Sequence, residues 1–231
     1  MKTIGLLGGM SWESTASYYS AINEGVKAAL GGLHSAELVL YSVDFAEIEK
    51  LQHADDWAAT AAILGDAGAA LEAAGADFLL ICTNTMHRVA DEVESAAGIP
   101  LLHIADATAA ALAVDGIHTV GLLGTRFTME QDFYVGRLEN EHGIDVIVPE
   151  EAQRDRVHSV IYDELCLGRI EENSRLEFLD IIDSLTGRGA EAIILGCTEI
   201  ALLVEQSQTP AKLYDTTAIH AARAVELALE D

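Results

Sequence analysis

The chain has 231 residues, half of them hydrophobic, which is enough to bury a sizeable core as one domain or as two small ones. With 38 acidic against 13 basic residues, the formal net charge is -25, which argues against binding to nucleic acid or to anionic membrane surfaces. Such a charge favours a heavily hydrated surface suited to solubility or to high salt, and an acidic ligand would need local hydrogen-bond donors to hold it.

Nothing in the chain has the pattern of an export signal or a membrane span. The start, MKTIGLLGGM, is too short an apolar stretch for a signal peptide, and no small-residue cleavage site follows. No run approaches the roughly eighteen apolar residues that a membrane helix needs. Cys82, Cys166 and Cys197 are an odd number of cysteines without zinc spacing. We therefore expect free thiols in a reducing, cytoplasmic compartment.

Apolar runs alternate with alanine-rich amphipathic segments along the whole chain. Strands are predicted at residues 3–8, 37–43, 77–82, 100–104, 118–123, 144–148, 191–196 and 211–214. Helices are predicted at residues 12–30, 55–74, 86–97, 106–115, 129–142, 151–167, 171–187 and 216–230. Ser11, Asp55, Asp56 and Gly31-Gly32 are predicted to cap helix ends. Several strands are continuous Val, Ile and Leu runs, and the alternation with helices predicts an α/β protein with parallel sheets covered on both faces.

An internal repeat relates the two halves of the chain. GADFLLICTNT begins at Gly75 and GAEAIILGCTE begins at Gly189, an offset of 114 residues. IGLLGGM at Ile4 and VGLLGTR at Val120 are related by an offset of 116 residues. The shared order of glycine, apolar run and polar strand end favours duplication over chance similarity between α/β segments.

Duplication predicts two similar flavodoxin-like αβα domains with parallel sheets, related by a pseudo-twofold axis. The predicted first domain comprises residues 1–99 with a returning segment 211–231, and the second comprises residues 100–210. Ligands of open α/β sheets bind outside the carboxyl ends of the strands, so equivalent residues should face each other across a cleft. The offset pairs Thr83 with Cys197, whereas Cys82 should point the other way, into the packing.

The strand ends carry the side chains with the most chemistry. Cys197 precedes a predicted helix, whose N-terminal dipole and N–H groups would favour a thiolate, although a buried cysteine is more often inert. Thr83 alone is a weaker candidate, because a hydroxyl is a poorer acid and base and a strand-end threonine is often a cap. His87 could assist proton transfer, or simply cap and pack. Side chains that could hold a carboxylate, or cap helices, follow both strands: Asn84, Thr85, Thr198 and Glu199.

Two glycine-containing loops, residues 5–11 and 121–127, resemble phosphate-cradling turns. Neither has the GxGxxG or GK[ST] pattern, so we interpret them as places where backbone approaches a small ligand closely. Met10 and Thr125 in these loops are predicted substrate contacts. Arg126 is a candidate partner for an anion, and a surface ion pair is the alternative.

GLLGGMSWEST, VDF at residues 43–45, CTNTMH, GTRFTM and GCTEI, in this order, resemble the aspartate/glutamate racemase family. The resemblance covers nearly the whole chain and is to the cofactor-independent branch that racemises amino acids. It implies two similar α/β domains, a homodimer, a small amino-acid substrate, and no pyridoxal or metal cofactor. It also implies two cysteines, one from each domain, that remove and return the α-proton on opposite faces of the substrate.

The first catalytic position departs from the family pattern. The family's first cysteine directly precedes Asn-Thr, but here Thr83 occupies that place and Cys82 lies one residue too early. The pair of Cys197 thiol and Thr83 hydroxyl resembles the catalytic pair of the racemases that are specific for L-Asp and L-Glu. This resemblance implies that Cys197 deprotonates the L enantiomer and that Thr83 donates a proton from the other side.

The expected contacts to the substrate side chain also depart from the family. The family resemblance implies basic residues after VDF and in the second domain. Position 48 is Ile instead, and the charged residues of IYDEL at 161–165 are both acidic. Gln52 is our predicted polar contact instead. Two other functions stay open: a related isomerase or decarboxylase acting on a hydantoin, a maleate or an arylmalonate, and a binding module that has lost catalysis.

Overall fold

A computed structural model describes residues 1–230, and its internal contacts divide the chain into two compact units. Unit 1 comprises Met1–Ile104 together with the chain from His220 onwards, and unit 2 comprises Ala105–Ile219. Each unit contains one parallel sheet, which confirms the predicted α/β class and the presence of two similar sheets. Within residues 1–230 no helix is both long enough and apolar enough to cross a bilayer.

Unit 1 is a three-stranded sheet with helices on both faces. Its elements are β1 (Ile4–Gly8), α1 (Trp12–Leu30), β2 (Leu38–Ser42), α2 (Phe45–His53), α3 (Trp57–Ala73), β3 (Phe78–Ile81), a short 3-10 helix (Thr85–Val89) and α4 (Ala90–Ala97). The strand order is β2-β1-β3, all parallel. Ser11 caps α1, the Gly31 N–H closes its other end, and Asp56 caps α3, as predicted.

The two faces of this sheet bury alternate residues of each strand, as the pleat requires. Leu7, Leu79 and Ile81 belong to a core on the side of α3 and α4. Leu80 and Cys82 belong to a second core that includes residues of α1 and of the C-terminal helix. Both cores are apolar, which explains why the strands are continuous hydrophobic runs rather than alternating ones.

Unit 2 is built on a four-stranded parallel sheet with the order β5-β4-β6-β7. Its elements are α5 (Ile104–Val114), β4 (Thr119–Gly124), α6 (Arg126–Glu130), α7 (Val135–His142), β5 (Asp145–Ile147), α8 (Glu151–Asp163), a 3-10 helix (Leu165–Leu167), α9 (Glu172–Gly187), β6 (Ala192–Gly196), α10 (Ile200–Leu203), a 3-10 turn (Gln206–Gln208), β7 (Lys212–Asp215) and α11 (Thr216–Leu229). The unit boundary falls within α11, between Ile219 and His220.

The sheet topology supports the internal repeat. In each unit the first strand lies between the second and the third, so β1, β2 and β3 correspond to β4, β5 and β6. Beside β6, residues 212–215 form a full strand. Beside β3, the predicted strand at 100–104 is reduced to a single bridge between Leu79 and Leu101. Pro100 has no N–H to donate, which shortens the possible ladder and accounts for this incorrect strand prediction.

The predicted domain boundaries also differ from the observed units. Residues 211–219 were predicted to return to the first domain, but β7 pairs with β6 and therefore lies in unit 2. Residues 100–104, predicted to open the second domain, lie in unit 1, where Leu102 bonds to the backbone of Leu79. The sequence pattern also failed to predict α2, the helix predicted after Cys197 is only the four residues of α10, and the predicted helix 129–142 is broken into α6 and α7.

Candidate active site

The carboxyl end of β3 separates two neighbouring side chains. Cys82 is fully buried in the core that includes residues of α1 and α11, and burial raises the pKa of its thiol above the ordinary value. Thr83, the next residue, is half-buried and lies in the turn that leads to the 3-10 helix. The prediction that Cys82 points into the packing is confirmed, and its fully buried place in this core leaves no access for a substrate.

Four of the predicted contact residues lie in or near the same region of unit 1. Asn84 and Thr85 are buried at the start of the 3-10 helix, and the Asn84 side chain does not form its capping bond. Gln52 on α2 is buried, and its Nε2 lies 3.7 Å from the Sδ of Met86, which ties α2 to this turn. The Met10 side chain packs in the apolar cluster that also contains Met86. Any contact from Met10 to a polar ligand would therefore come from its backbone.

The loop after β1 leaves no space for side chains at its two glycines. A Cβ on Gly8 would lie 2.4 Å from the Cγ2 of Thr15. Gly9 has a φ of +91°, and a Cβ there would lie 2.3 Å from the carbonyl oxygen of Val43. The Gly9 N–H donates to the Oγ1 of Thr15 at 2.8 Å. These two glycines are therefore needed for the loop to pack against α1 and the end of β2. A close approach to a ligand stays a prediction.

The loop after β4 uses its polar side chains within unit 2. The Thr125 hydroxyl caps α6 by accepting from the Thr128 N–H at 3.3 Å. The half-exposed Arg126 pairs with Asp155 at 2.8 Å and with Glu130 at 3.5 Å. Of the two interpretations of Arg126, the structure shows the surface ion pair. Thr125 stays a predicted substrate contact whose hydroxyl is already engaged in capping.

The end of β6 leads directly into a buried turn that holds a thiol against a carboxylate. Glu199 Oε2 accepts from Cys197 Sγ at 2.9 Å and from Thr198 Oγ1 at 2.7 Å. All three side chains are buried. The sequence placed these residues at one strand end but did not predict the thiol–carboxylate contact, because a contact between residues i and i+2 depends on the geometry of the turn.

The surroundings of Cys197 favour the neutral thiol, which corrects the expectation of a thiolate stabilised by a helix. The helix that follows, α10, has only four residues and supplies little dipole. Burial raises the pKa of Cys197 well above its ordinary value, and the charges of Glu199 and Cys166 raise it further; a hydrogen bond with the Glu199 backbone lowers it by less. Cys197 therefore needs a base before it can remove a proton from carbon.

All three cysteines are free thiols, as predicted. Cys166 lies in the 3-10 helix after α8 and is close enough to Cys197 to affect its pKa. This proximity was not predicted, and no motif or spacing in the sequence marks it.

One group of side chains in unit 2 has the composition of a metal site. Ligand atoms of Asp106, Glu141 and His142 lie within 4.8 Å of one another. The Asp106 carboxylate, however, is bound on both oxygens by Arg137, at 2.7 and 2.8 Å, and also contacts His142 at 2.8 Å. Burial alone would raise the pKa of Asp106, but these hydrogen bonds hold it below its usual value. A bound guanidinium makes this an ion-pair cluster rather than a cation site.

Comparison with known proteins identifies the family of the chain. The family model described as Asp/Glu/Hydantoin racemase matches residues 7–224. The chain belongs to the Asp/Glu/hydantoin racemase family. This racemase is similar to a candidate Asp/Glu racemase from Yersinia pestis, with 55% identity, a TM-score of 0.93 and 100% of both chains covered. The predicted family and the enzyme class, an amino-acid racemase, are confirmed.

Two further crystal structures extend the comparison. PH1733, an aspartate racemase homologue from Pyrococcus horikoshii OT3, is 35% identical with a TM-score of 0.85, and the match covers 100% of both chains. An aspartate racemase from Picrophilus torridus shares the fold at 21% identity and a TM-score of 0.79, over 99% of this chain and 94% of the other. The chain therefore shares the fold of these two proteins.

Proposed function

We propose that the racemase interconverts the enantiomers of an acidic amino acid, aspartate or glutamate, without a cofactor. The names of its relatives at 55% and 35% identity support acidic substrates. The hydrogen bond of 2.9 Å between the Cys197 thiol and the Glu199 carboxylate carries the proposal, because it provides the base that a buried thiol requires.

The first step removes the α-proton of the L enantiomer. As the Cys197 S–H bond breaks, its proton passes to Glu199, and the thiolate takes the α-proton while the electron pair of the C–H bond stays on the α-carbon. Glu199 later returns its proton to water. Burial, the main reason that the pKa of Cys197 is raised, still acts when Glu199 holds the proton, and it makes the thiolate a stronger base once it forms.

The second step returns a proton to the opposite face of the α-carbon. The Thr83 hydroxyl donates its proton, the D enantiomer forms, and water reprotonates the alkoxide. The half-exposed position of Thr83 supports this exchange with water. Donation to a reactive carbanion needs only a proton in place, whereas abstraction needs a strong base, so a threonine suits the return step better than the removal step.

The substrate carboxylates need donors because the protein surface is strongly negative. Polar groups that could supply them are Gln52, Asn84 and Thr85 in unit 1 and Thr198 in unit 2, all buried or nearly so. We assign the side-chain carboxylate to Gln52, since Ile48 stands where the family resemblance implies a basic residue. The homodimer implied by the family resemblance stays a prediction that light scattering can check.

The test compares kcat for L-Asp, D-Asp, L-Glu and D-Glu in a chiral assay. Cys197→Ala should lower kcat by at least about 10³-fold, and Glu199→Gln by about 10²-fold. Cys82→Ala, which removes a thiol in the core of unit 1, is the matched control and should keep kcat within about twofold.

Retained activity in Cys197→Ala, or loss of activity in a folded Cys82→Ala, would contradict the assignment of the thiol. A folded wild type that turns over none of the four amino acids would instead favour one of the alternatives. Protection of Cys197 from alkylation by an added small carboxylate, without turnover, would then indicate a binding protein. Turnover of a hydantoin, a maleate or an arylmalonate would indicate a related isomerase or decarboxylase.

A further inference from the structure

Two buried histidines in unit 1 are engaged on both of their ring nitrogens. His87 lies on the 3-10 helix after β3, and His220 lies on α11 where the chain re-enters unit 1. Their side chains are 3% and 0% exposed. Neither belongs to the proposed proton-transfer pair, yet His87 contacts one member of that pair directly.

The hydrogen bonds of His87 determine its tautomer. The backbone N–H of Ile104 donates to Nε2 at 3.2 Å, so Nε2 carries no proton. Nδ1 therefore holds the proton and donates it to the carbonyl oxygen of Thr83 at 2.8 Å. The ring thus joins the Thr83 backbone to Ile104, and neither nitrogen is available to exchange a proton with a substrate.

His220, whose ring lies beside that of His87, has the opposite tautomer. Its Nε2 lies 2.8 Å from the carbonyl oxygen of Leu102, which can only accept, so Nε2 carries the proton. Its Nδ1 lies 2.8 Å from the Tyr18 hydroxyl, which donates to it. The two histidines therefore hold Leu102 and Ile104, on either side of His103.

The rings also contact one another, which favours the neutral state. The His87 ring centroid lies 4.5 Å from that of His103 and 5.8 Å from that of His220. Burial and these two neighbours lower the pKa of His87 well below its usual value, and burial lowers that of His220 to about 4. Neutral rings keep one donor and one acceptor each, as this pattern of bonds requires.

We propose that His87 is a positioning residue for Thr83, and that the Tyr18–His220 pair supports it by fixing the segment that His87 bonds to. The bond from His87 Nδ1 holds the Thr83 carbonyl, and through the backbone it fixes the position of the Cβ that carries the hydroxyl. This inference rests on the proposed function, in which that hydroxyl donates to the α-carbon. A small displacement of such a group costs a large factor in rate.

Two substitutions at His87 separate its two bonds. In His87→Asn the side-chain amide N–H takes the place of Nδ1–H and keeps the bond to Thr83. In His87→Gln the amide oxygen reaches the place of Nε2 and keeps the bond to Ile104, while Thr83 loses its donor. We expect His87→Gln to lower kcat from L-Asp by about tenfold or more with KM within about twofold, and His87→Asn to recover most of kcat.

The variants are compared at matched folded fraction, measured by thermal unfolding. Equal loss of kcat in the two variants, or wild-type kcat in a folded His87→Gln, would overturn the proposal. If His87→Gln does not accumulate as folded protein, Tyr18→Phe is measured instead, since it removes one hydroxyl with little loss of packing. We expect it to lower kcat about threefold at unchanged KM, and an unchanged kcat would again overturn the proposal.

A second readout does not depend on activity. Long-range ¹H–¹⁵N spectra of the wild type with labelled histidine should show a neutral Nδ1–H tautomer for His87 and a neutral Nε2–H tautomer for His220 at pH 7. The opposite tautomer at His87 would remove the bond to Thr83 and refute the inference. A wild type that shows these tautomers but does not racemise Asp or Glu would refute the proposed function and leave the hydrogen-bond network established.

Discussion

Lowering the pH from 7 to 5 should weaken unit 1 through His220. The ring is fully buried, and burial lowers its pKa from 6.5 to about 4 against an opposing effect of the Leu102 carbonyl. Because the folded-state pKa lies below the unfolded value, the unfolded chain binds more protons between these two values. The contribution of the neutral ring to stability is therefore complete above pH 6.5 and is lost progressively as the pH falls towards 4.

The size of the effect follows from the two pKa values. Each unit of difference corresponds to about 1.4 kcal/mol, so His220 should reduce the free energy of unfolding by about 2 kcal/mol at pH 5. The full loss, reached below the folded-state pKa, is about 3 kcal/mol. Such a change is a substantial part of the stability of a typical domain.

Urea unfolding followed by tryptophan fluorescence isolates this effect, because Trp12 and Trp57 both lie in unit 1. His220→Gln removes the titrating ring and keeps an N–H for Leu102. Between pH 7 and 5 the wild type should lose about 2 kcal/mol more than His220→Gln. His34→Gln, at an exposed histidine, is the control for loss of a histidine outside the core. The same pH dependence in His220→Gln and wild type would refute this reasoning.

Three further predictions address the site, the packing and the charge. Thr83→Cys should raise kcat from the D enantiomer about tenfold, because a thiolate is a far more accessible base than an alkoxide, and an unchanged kcat in the chiral assay would count against Thr83. Gly8→Ala should lower the free energy of unfolding by about 1–3 kcal/mol because of the clash with Thr15. The control Gly187→Ala lies in α9 and its Cβ meets no neighbouring atom, so it should not lower the urea midpoint; an equal fall in the two variants would contradict the packing argument. Raising KCl from about 0.1 to about 1 M shortens the screening length from about 10 to about 3 Å. Because the chain has a net charge of -25, weaker repulsion should raise its urea midpoint. A midpoint that does not depend on salt would show that the charges do not repel one another appreciably.

Local patterns were sufficient to predict the fold class and the strand ends. Continuous apolar runs predicted strands buried on both faces, and the offset between Gly75 and Gly189 predicted two similar halves, which the structure shows as two parallel sheets. Strand alternation predicted that Cys82 belongs to the core, because neighbouring side chains point in opposite directions.

Features that depend on three-dimensional context could not be predicted in this way. The apolar run at 100–104 resembles a strand. Pro100 has no N–H to donate to β3, however, and the run makes only the bridge between Leu79 and Leu101. The pKa of Cys197 depends on its burial and on the turn that brings Glu199 to it, neither of which the motif specifies. The bonds of His87 join residues far apart in sequence, so the sequence left its role open between proton transfer and packing.

Isotope transfer at the α-carbon tests most directly the central claim that two different groups handle the α-proton. Unlabelled L-Asp is converted to a low extent in D₂O, the two enantiomers are separated, and the deuterium content of each is measured by mass spectrometry. We predict that each D-Asp molecule carries one solvent deuterium at the α-carbon while the remaining L-Asp stays largely unlabelled, since Thr83 delivers a proton from water and Cys197 removes the original one. D-Asp that keeps the original α-proton would mean that a single group removes and returns it, and would contradict the pairing of Cys197 with Thr83.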